Sequence, residues 1–353
     1  MPALDGLRGV AILMVILHHA AQGAYGALAI FQPVGPEAML SLPAWLVSIG
    51  STGQYGVELF FVVSAFTLTC RMSDHPGGLG CYALRRLARI APGYWAALLG
   101  YTALAGLGPR LSAEEGLTVA DVAVAAVFGS AWRGDASVAV VPGGWSVACE
   151  VAFYVALPLL LAIIDGKLLR SALLTVLAML AAEAFRRQAL LAGTAEFAIH
   201  IHPATQAPVF LLGVTAALAA RRFAAPPGQG AILALLVMIV LAPAPELLFA
   251  AGAAVVTACA AGNPPAFLAS RPMRRLGEVS YSMYLAHFVL LLPCLRLAEV
   301  VAPHADGWTL LAHYPLVVAS AFVASLATHR WIETPFIAWA ARLTPSRAAL
   351  APA

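Results

Sequence analysis

Residues 3–20 read ALDGLRGVAILMVILHHA, an apolar run with ionisable side chains at both of its ends. The apolar stretch continues over residues 7–30, which is long enough to cross ~30 Å of hydrocarbon at ~1.5 Å per residue in a helix. No small-residue cleavage pattern follows the run. We therefore expect a retained first membrane helix rather than a signal peptide.

The composition extends this interpretation to the whole chain. Of 353 residues, 61% are hydrophobic and 10% are charged, whereas ordinary soluble domains carry roughly 25% charged residues. A soluble core cannot bury so much apolar surface, so the lipid bilayer is the expected partner of most of it. The small net charge of +3 gives no sign of a nucleic-acid partner. The five cysteines show no C-x-x-C spacing, so neither a disulfide framework nor a cysteine zinc site is predicted.

Apolar segments of spanning length occur at about ten places. They are residues 7–30, 55–72, 92–108, 144–164, 168–185, 204–221, 229–243, 247–262, 280–301 and 309–332. Residues 117–131 form a shorter segment with Asp121 near its start, which favours a re-entrant or interfacial piece. The sequence thus predicts an all-α integral membrane protein, with one transmembrane domain over residues 1–345 and a short cytoplasmic tail over 346–353.

The distribution of positive charge predicts the orientation. With ten spans and a cytoplasmic N-terminus, 15 of the 20 Lys and Arg residues fall on the inner side. These are Arg8, Arg71, Arg85, Arg86, Arg89, Lys167, Arg170, Arg221, Arg222, Arg271, Arg274, Arg275, Arg330, Arg342 and Arg347. Cytoplasmic loops of membrane proteins carry such an excess, so both termini are predicted to be cytoplasmic.

Ionisable groups inside a span are costly and therefore mark candidate functional residues. Arg8 and His19 are eleven residues apart, so they lie within ~20° of one helix face and ~16 Å apart along the axis. His18 falls roughly 80° from that face. His19 is predicted to point into the same lumen as Arg8, although a buried histidine that bonds a neighbouring helix would show the same spacing.

Two carboxylates enter spans from the outer side. Glu58 lies about one turn deep and Glu150 about two turns deep, where Ser146, Glu150 and Tyr154 share one face at i, i+4 spacing. Either carboxylate could orient His19, as a base and its orienting group require. Glu58 could instead be interfacial and solvated.

Three further histidines are ambiguous. His287 continues a polar stripe with Ser280 and Tyr284, and the functional and structural interpretations are equally balanced. His200 and His202 flank an outer loop, but no third ligand is evident from the sequence. No metal site is therefore predicted.

Residues 81–91 are predicted to form an amphipathic interfacial helix, with Pro92 starting the third span. Arg85, Arg86 and Arg89 lie on one side of it and apolar residues on the other. Such a basic helix binds anionic lipid head groups or a phosphate-rich ligand, because guanidinium groups bind phosphate bidentately.

Six stretches in order resemble the conserved blocks of the acyltransferase-3 family of membrane O-acyltransferases, over essentially the whole chain. They are LDGLRG (4–9), GVELFFVVS (56–64), RRxxRIxPxYW (85–95), WSxxxExxFY (145–154), SYSxYLxH (280–287) and ExP (333–335). The sequence departs from the usual Ser-Gly-Phe in reading Ser64-Ala65-Phe66.

The resemblance implies transfer of an acyl group from cytoplasmic acyl-CoA, as co-substrate, to a hydroxyl of a cell-surface glycan, a lipid-linked sugar or a secreted small molecule. It implies a bacterial inner-membrane location and no bound cofactor. His19 would be catalytic and paired with Arg8, and Glu150 or Glu58 would assist it. The implied substrate-binding residues are Arg85, Arg86, Arg89, Trp145, Tyr154, Tyr284 and His287.

Two other classes of function fit the same intramembrane ionisable groups. A transporter or flippase would use them as a proton relay, but no inverted repeat or paired broken helices are visible. A catalytically silent scaffold would not need the Arg8 and His19 pair. Dependence on acyl-CoA separates the enzyme from both.

Overall fold

The computed structural model describes residues 1–22, 50–74, 78–110, 112–223, 229–230, 232–233, 235–236, 245–301 and 306–344. Within these ranges the chain is helical and contains no named β-strand, only an isolated bridge between Arg110 and Ala113. The predicted all-α class is confirmed for this part of the chain.

The described ranges form thirteen α-helices, numbered in chain order. They are α1 Pro2–Ala21, α2 Gly56–Asp74, α3 Leu79–Ala105, α4 Val119–Ala126, α5 Ser130–Arg133, α6 Gly144–Ile164, α7 Leu168–Leu191, α8 Glu196–His200, α9 Pro203–Arg222, α10 Glu246–Gly262, α11 Arg271–Val301, α12 Asp306–Thr328 and α13 Thr334–Leu343. Short 3-10 turns cover Gly53–Tyr55 and Ala136–Ala139, and a π-helical turn at His329–Glu333 joins α12 to α13.

Among the described residues, seven helices are long and apolar enough to cross a membrane. They cover Pro2–Ala21, Gly50–Ser73, Gly144–Ile164, Leu168–Leu191, Glu196–Arg222, Arg271–Val300 and Leu310–Leu343. Helix α10 is apolar but has only 17 residues. The predicted span 229–243 lies largely outside the described residues. The count of ten spans and the cytoplasmic termini remain predictions.

The outer helices expose apolar side chains as a lipid-facing protein requires. On α7, the exposed residues Leu169, Leu173, Leu177 and Leu180 follow one another at three- or four-residue spacing. A continuous apolar stripe of this kind would be a liability in water, whereas hydrocarbon solvates it. The packing of the bundle therefore agrees with the membrane assignment made from composition.

The prediction of an interfacial helix over residues 81–91 that is distinct from a third span starting at Pro92 is wrong, because α3 runs without interruption from the basic residues into the third apolar segment. Proline removes one backbone donor from a helix but does not always end it. Next to Pro92, the Tyr281 hydroxyl donates a hydrogen bond to the Ile90 carbonyl (2.8 Å). The missing side chain of Gly93 leaves room for the ring of Tyr281. Contacts with α11 thus stabilise α3 at this point.

Residues 117–131 form short helices rather than a span, as predicted. Helix α4 has eight residues and starts at a capping box, in which Thr118 and Asp121 bond each other's backbone N–H groups. The hydrogen bonds from the Thr118 hydroxyl and backbone N–H hold the pKa of Asp121 below its usual value.

Helices α1 and α11 approach each other so closely that glycine is required at their contact. A Cβ atom at Gly277 would overlap the Asp5 carbonyl, and one at Gly6 would overlap the backbone of Leu268. Small residues that let backbones meet are the usual means of helix association in membranes. The contact fixes the position of α1, which carries Arg8 and both histidines.

We predict that Gly277→Ala destabilises the protein by roughly 1–3 kcal/mol, the usual cost of overpacking. The thermal midpoint of the detergent-solubilised protein should fall. Gly100→Ala is the matched control, because Gly100 lies within α3 and a Cβ there would meet no atom within 4 Å. The control should be neutral or slightly stabilising. Equal midpoints for the two variants would contradict the close packing.

Candidate active site

A cavity of about 630 Å³ opens among α1, α2, α3, α6, α11 and α13. This volume falls within the usual range of small-molecule and cofactor sites. Its arginine-bearing part lies at the first turns of α1 and the last turns of α2 and α13, and the lining continues to Val57 at the start of α2 and Ser146 at the start of α6. The arginine-bearing helix ends share the side that the positive-charge pattern assigns to the cytoplasm.

Five guanidinium groups line the cavity. They belong to Arg8, Arg71, Arg85, Arg86 and Arg89. The acidic side chains in the lining are Asp5, Glu150 and Glu278. Cationic side chains therefore outnumber acidic ones, and the cavity suits an anionic ligand with several phosphate groups.

Contacts with the C-terminal part of the chain hold two of these arginines. Arg85 donates hydrogen bonds to the hydroxyl (2.7 Å) and the carbonyl of Thr344. Arg89 forms an ion pair with Glu333. Arg86 lies over the ring of Tyr154, with its guanidinium carbon 5.8 Å from the ring centroid. The structure thus brings the three predicted arginines of α3 to one cavity.

Glu333 occupies the π-helical turn between α12 and α13 and is 1% exposed. Its carboxylate accepts hydrogen bonds from Ser282 and from His329 Nδ1 (3.2 Å), in addition to the contact with Arg89. Turns of the π type often occur at functional sites because they redirect side chains out of the regular helical register. Here the turn directs a carboxylate towards the arginine cluster.

Glu150 lies on the cavity wall, as the shared face of Ser146, Glu150 and Tyr154 predicts. Its Oε1 accepts hydrogen bonds from Ser64 and from the Tyr154 hydroxyl, both at 2.6 Å. Ser146 donates to the hydroxyl of Tyr284 (2.9 Å), which itself donates to the Gly143 carbonyl (3.0 Å). These hydrogen bonds hold the polar side chains that α6 contributes to the cavity wall.

His19 is not among the residues that line the cavity, whereas Arg8 is one of them. The half-buried imidazole packs against His287 and Phe288, at centroid distances of 5.4 and 4.4 Å. The expectation that Arg8 and His19 face one open lumen is therefore not met. Tyr284 explains the separation, because it lines the cavity while its ring lies 5.8 Å from that of His287.

Gln22, rather than a carboxylate, is the hydrogen-bond partner of His19 among the described residues. His19 Nδ1 lies 3.2 Å from Gln22 Oε1, one turn further along α1. An Nδ1–H that donates to this amide oxygen leaves Nε2 with its lone pair. His287 has a similar arrangement, since its Nδ1 donates to the Tyr284 carbonyl (2.7 Å) while Nε2 has no partner among the described residues.

Glu58 is not next to His19, contrary to one of its two predicted roles. It is buried, and its Oε1 lies 4.0 Å from His200 Nε2. His200 Nδ1 lies 3.2 Å from Glu246 Oε2. The solvated interfacial alternative is also wrong, because the Glu58 side chain is only 2% exposed. The expectation that His200 lacks further ligand groups nearby fails as well, since two carboxylates adjoin it.

Trp145 packs against this second cluster instead of the cavity. Its ring centroid lies 5.4 Å from that of His200 and 6.3 Å from that of Phe61. Trp145 is absent from the described cavity lining. His202 takes a structural role, because its Nδ1 accepts a hydrogen bond from the Ala204 backbone N–H at the start of α9.

Two residues that line the cavity, Arg71 and Tyr281, and one that holds its arginine Arg89, Glu333, are not among the site residues predicted from the sequence. Arg71 was predicted only as an inner charge, and Tyr281 and Glu333 only as members of the matching sequence blocks. Tyr281 lies under the guanidinium of Arg89, with 5.7 Å between the guanidinium carbon and the ring centroid. The membership of Tyr281 and Glu333 in the matching blocks was the only sign in the sequence that they belong near the site. The ion pair between Arg89 and Glu333 could not be predicted from local patterns, because the two residues are 244 positions apart.

The chain matches a known protein family. A family model described as an acyltransferase domain, Acyl_transf_3, matches residues 1–330. Comparisons with curated proteins and with solved structures find no match. The family match covers every cavity group except the end of α13, and it includes all the candidate residues named from the sequence. The chain belongs to the acyltransferase-3 family of membrane acyltransferases.

Proposed function

We propose that this acyltransferase moves a short acyl group, such as acetyl, from cytoplasmic acyl-CoA to a hydroxyl group. The acceptor would be a cell-surface glycan, a lipid-linked sugar or a secreted small molecule. The observation that carries the proposal is the cavity with five arginines at one end of the bundle. The transporter alternative is not favoured, since the family match is to acyltransferases.

The nucleotide part of acyl-CoA would bind among the arginines. Coenzyme A carries a diphosphate bridge with one negative charge on each phosphate and a nearly dianionic 3′-phosphate, and the planar guanidinium fork binds such groups with two parallel hydrogen bonds. Arg85 and Arg89 are held by Thr344 and Glu333, so less side-chain freedom is lost on binding. The guanidinium groups of Arg86 and Arg89 pack over the ring faces of Tyr154 and Tyr281, respectively.

The acyl end would reach His19 past Tyr284. The ring of Tyr284 borders the cavity and adjoins His287, which packs against His19. Tyr284 is held by hydrogen bonds to Ser146 and Gly143, so a change of its rotamer would have to break these two bonds and its ring contacts with Phe60 and His287. The thioester would then lie near the His19 ring.

His19 would act as a general base, with Gln22 fixing its tautomer. Nε2 takes the proton from the acceptor hydroxyl, whose oxygen attacks the thioester carbonyl carbon. The tetrahedral intermediate collapses as the C–S bond breaks, and the CoA thiolate recovers the proton from the imidazolium. A direct attack by Nε2 on the thioester, with transient acylation of His19, uses the same tautomer. In this proposal Gln22 replaces the carboxylate that the sequence suggested.

Replacing His19 by Ala should reduce turnover by ~10²–10⁴-fold, the usual contribution of a positioned acid–base group. Acyl-CoA affinity should stay nearly constant, because His19 lies outside the described cavity lining. The rate of CoA release and the binding constant, measured on the purified protein, separate these effects. His18→Ala is the control, since His18 bonds the Gly50 carbonyl (2.9 Å). Normal turnover in a correctly inserted His19→Ala variant would rule out the assignment.

Replacing Arg86 by Ala should weaken acyl-CoA binding by roughly 10- to 100-fold, from the loss of a charge-assisted contact worth ~1.5–3 kcal/mol. Arg86→Lys should restore only part of the affinity, because an ammonium group lacks the bidentate fork. Titration with a non-hydrolysable acyl-CoA analogue measures both. Arg187→Ala is the matched control, since Arg187 pairs with Glu183 on exposed α7. An unchanged affinity in Arg86→Ala would contradict the proposed donor site.

A further inference from the structure

A second polar cluster lies apart from the described cavity lining, where α2, α8 and α10 meet. It consists of Glu58 near the start of α2, His200 at the end of α8 and Glu246 at the start of α10. One ligand atom from each of these three side chains lies within 4.8 Å of the others. None of the three residues belongs to the described lining of the arginine cavity.

Two buried oxygens in or beside the cluster lack a donor among the described residues. Oε2 of Glu58 has no hydrogen-bond partner, although the side chain is 2% exposed. Oε1 of the fully buried Gln206 also has none, while its Nε2 donates to Glu246 Oε1 (2.9 Å) and to the His200 carbonyl (2.8 Å). Buried acceptors without donors are costly, so such groups indicate a ligand that satisfies them.

The charges of the cluster also suit a cation. Two carboxyl groups lie beside a single imidazole, and among the described residues no Lys or Arg forms an ion pair with either of them. Without a cation, one of the two carboxyl groups would have to hold a proton, because burying an uncompensated carboxylate is strongly unfavourable. A bound cation would let both carboxyl groups ionise.

The spacing of the cluster is somewhat wider than that of an occupied metal site. His200 Nδ1 lies within hydrogen-bond distance of Glu246 Oε2 (3.2 Å), whereas the 4.0 Å between Glu58 Oε1 and His200 Nε2 is too long for a hydrogen bond. Two ligands of one tetrahedral zinc ion, each bound at ~2.0–2.2 Å, lie roughly 3.3–3.6 Å apart. The three ligand atoms lie within 4.8 Å of one another, so they would move together by up to about 1.5 Å to enclose an ion.

We propose that Glu58, His200 and Glu246 bind one divalent transition-metal ion, with zinc the best match to one imidazole nitrogen and two carboxylate oxygens. Gln206 Oε1 or a water molecule would complete the coordination. The ion enters through His200 and Glu246, whose side chains are 35% and 28% exposed. Bound metal would link α2, α8 and α10, which are far apart in sequence, and so stabilise that end of the bundle.

The test is the zinc content of the full-length protein in detergent. The protein is treated with EDTA, incubated with zinc chloride and desalted, and its zinc is then measured by mass spectrometry. Wild type should retain about one zinc ion per chain, and its thermal midpoint should rise with zinc. Glu246→Gln should lose both effects. This variant keeps an acceptor for the Gln206 hydrogen bond, so its helix packing is preserved.

Two further variants make the result decisive. Glu58→Gln and Glu246→Gln remove carboxylate ligands from different helices, so loss of zinc in both identifies the cluster. His202→Asn is the matched control, because His202 lies two residues from His200 and caps α9, a role that asparagine also fills. Zinc retention equal in wild type and Glu246→Gln, or equal loss in His202→Asn, would overturn the proposal.

Discussion

The close backbone contact between α1 and α11 determines where the candidate catalytic groups lie. Gly277 allows the Asp5 carbonyl to approach α11, and Gly6 allows α1 to meet the backbone at Leu268. This contact sets the rotation of α1. Arg8 therefore faces the arginine cavity, and His19, three turns further, packs against His287. In hydrocarbon, where apolar surface alone does not hold helices together, such close packing provides the necessary rigidity.

The bundle separates two kinds of polar site. At one end, arginines from α1, α2 and α3 surround a cavity that suits phosphate groups, and Glu333 and Thr344 hold two of those arginines in place. Elsewhere, at the starts of α2 and α10, carboxylates gather around His200. The histidine pair of His19 and His287 adjoins the arginine cavity through Tyr284, which lines it.

Local patterns were enough to predict much of this arrangement. The lengths of the apolar runs predicted most of the long helices. Helical spacing predicted that Ser146, Glu150 and Tyr154 share one face of α6, and all three residues line the cavity. The basic run of α3 also pointed to an anion site. The sequence could not give the partners of Glu58 and Arg89, because His200 and Glu333 lie far along the chain. Helical periodicity predicts the direction of the His19 side chain on α1. It cannot predict that Tyr284 lines the cavity on the side of His19 and His287. The continuity of α3 through Pro92 also depends on contacts with Tyr281.

The central claim is that acyl-CoA occupies the arginine cavity with its thioester directed towards His19. A cryo-electron microscopy structure of the protein with a non-hydrolysable acyl-CoA analogue tests it most directly. The account predicts density for the phosphate groups beside Arg85, Arg86 and Arg89, a displaced Tyr284 side chain and the acyl carbonyl next to His19. Density for the nucleotide elsewhere on the protein, with the arginine cavity empty, would contradict it.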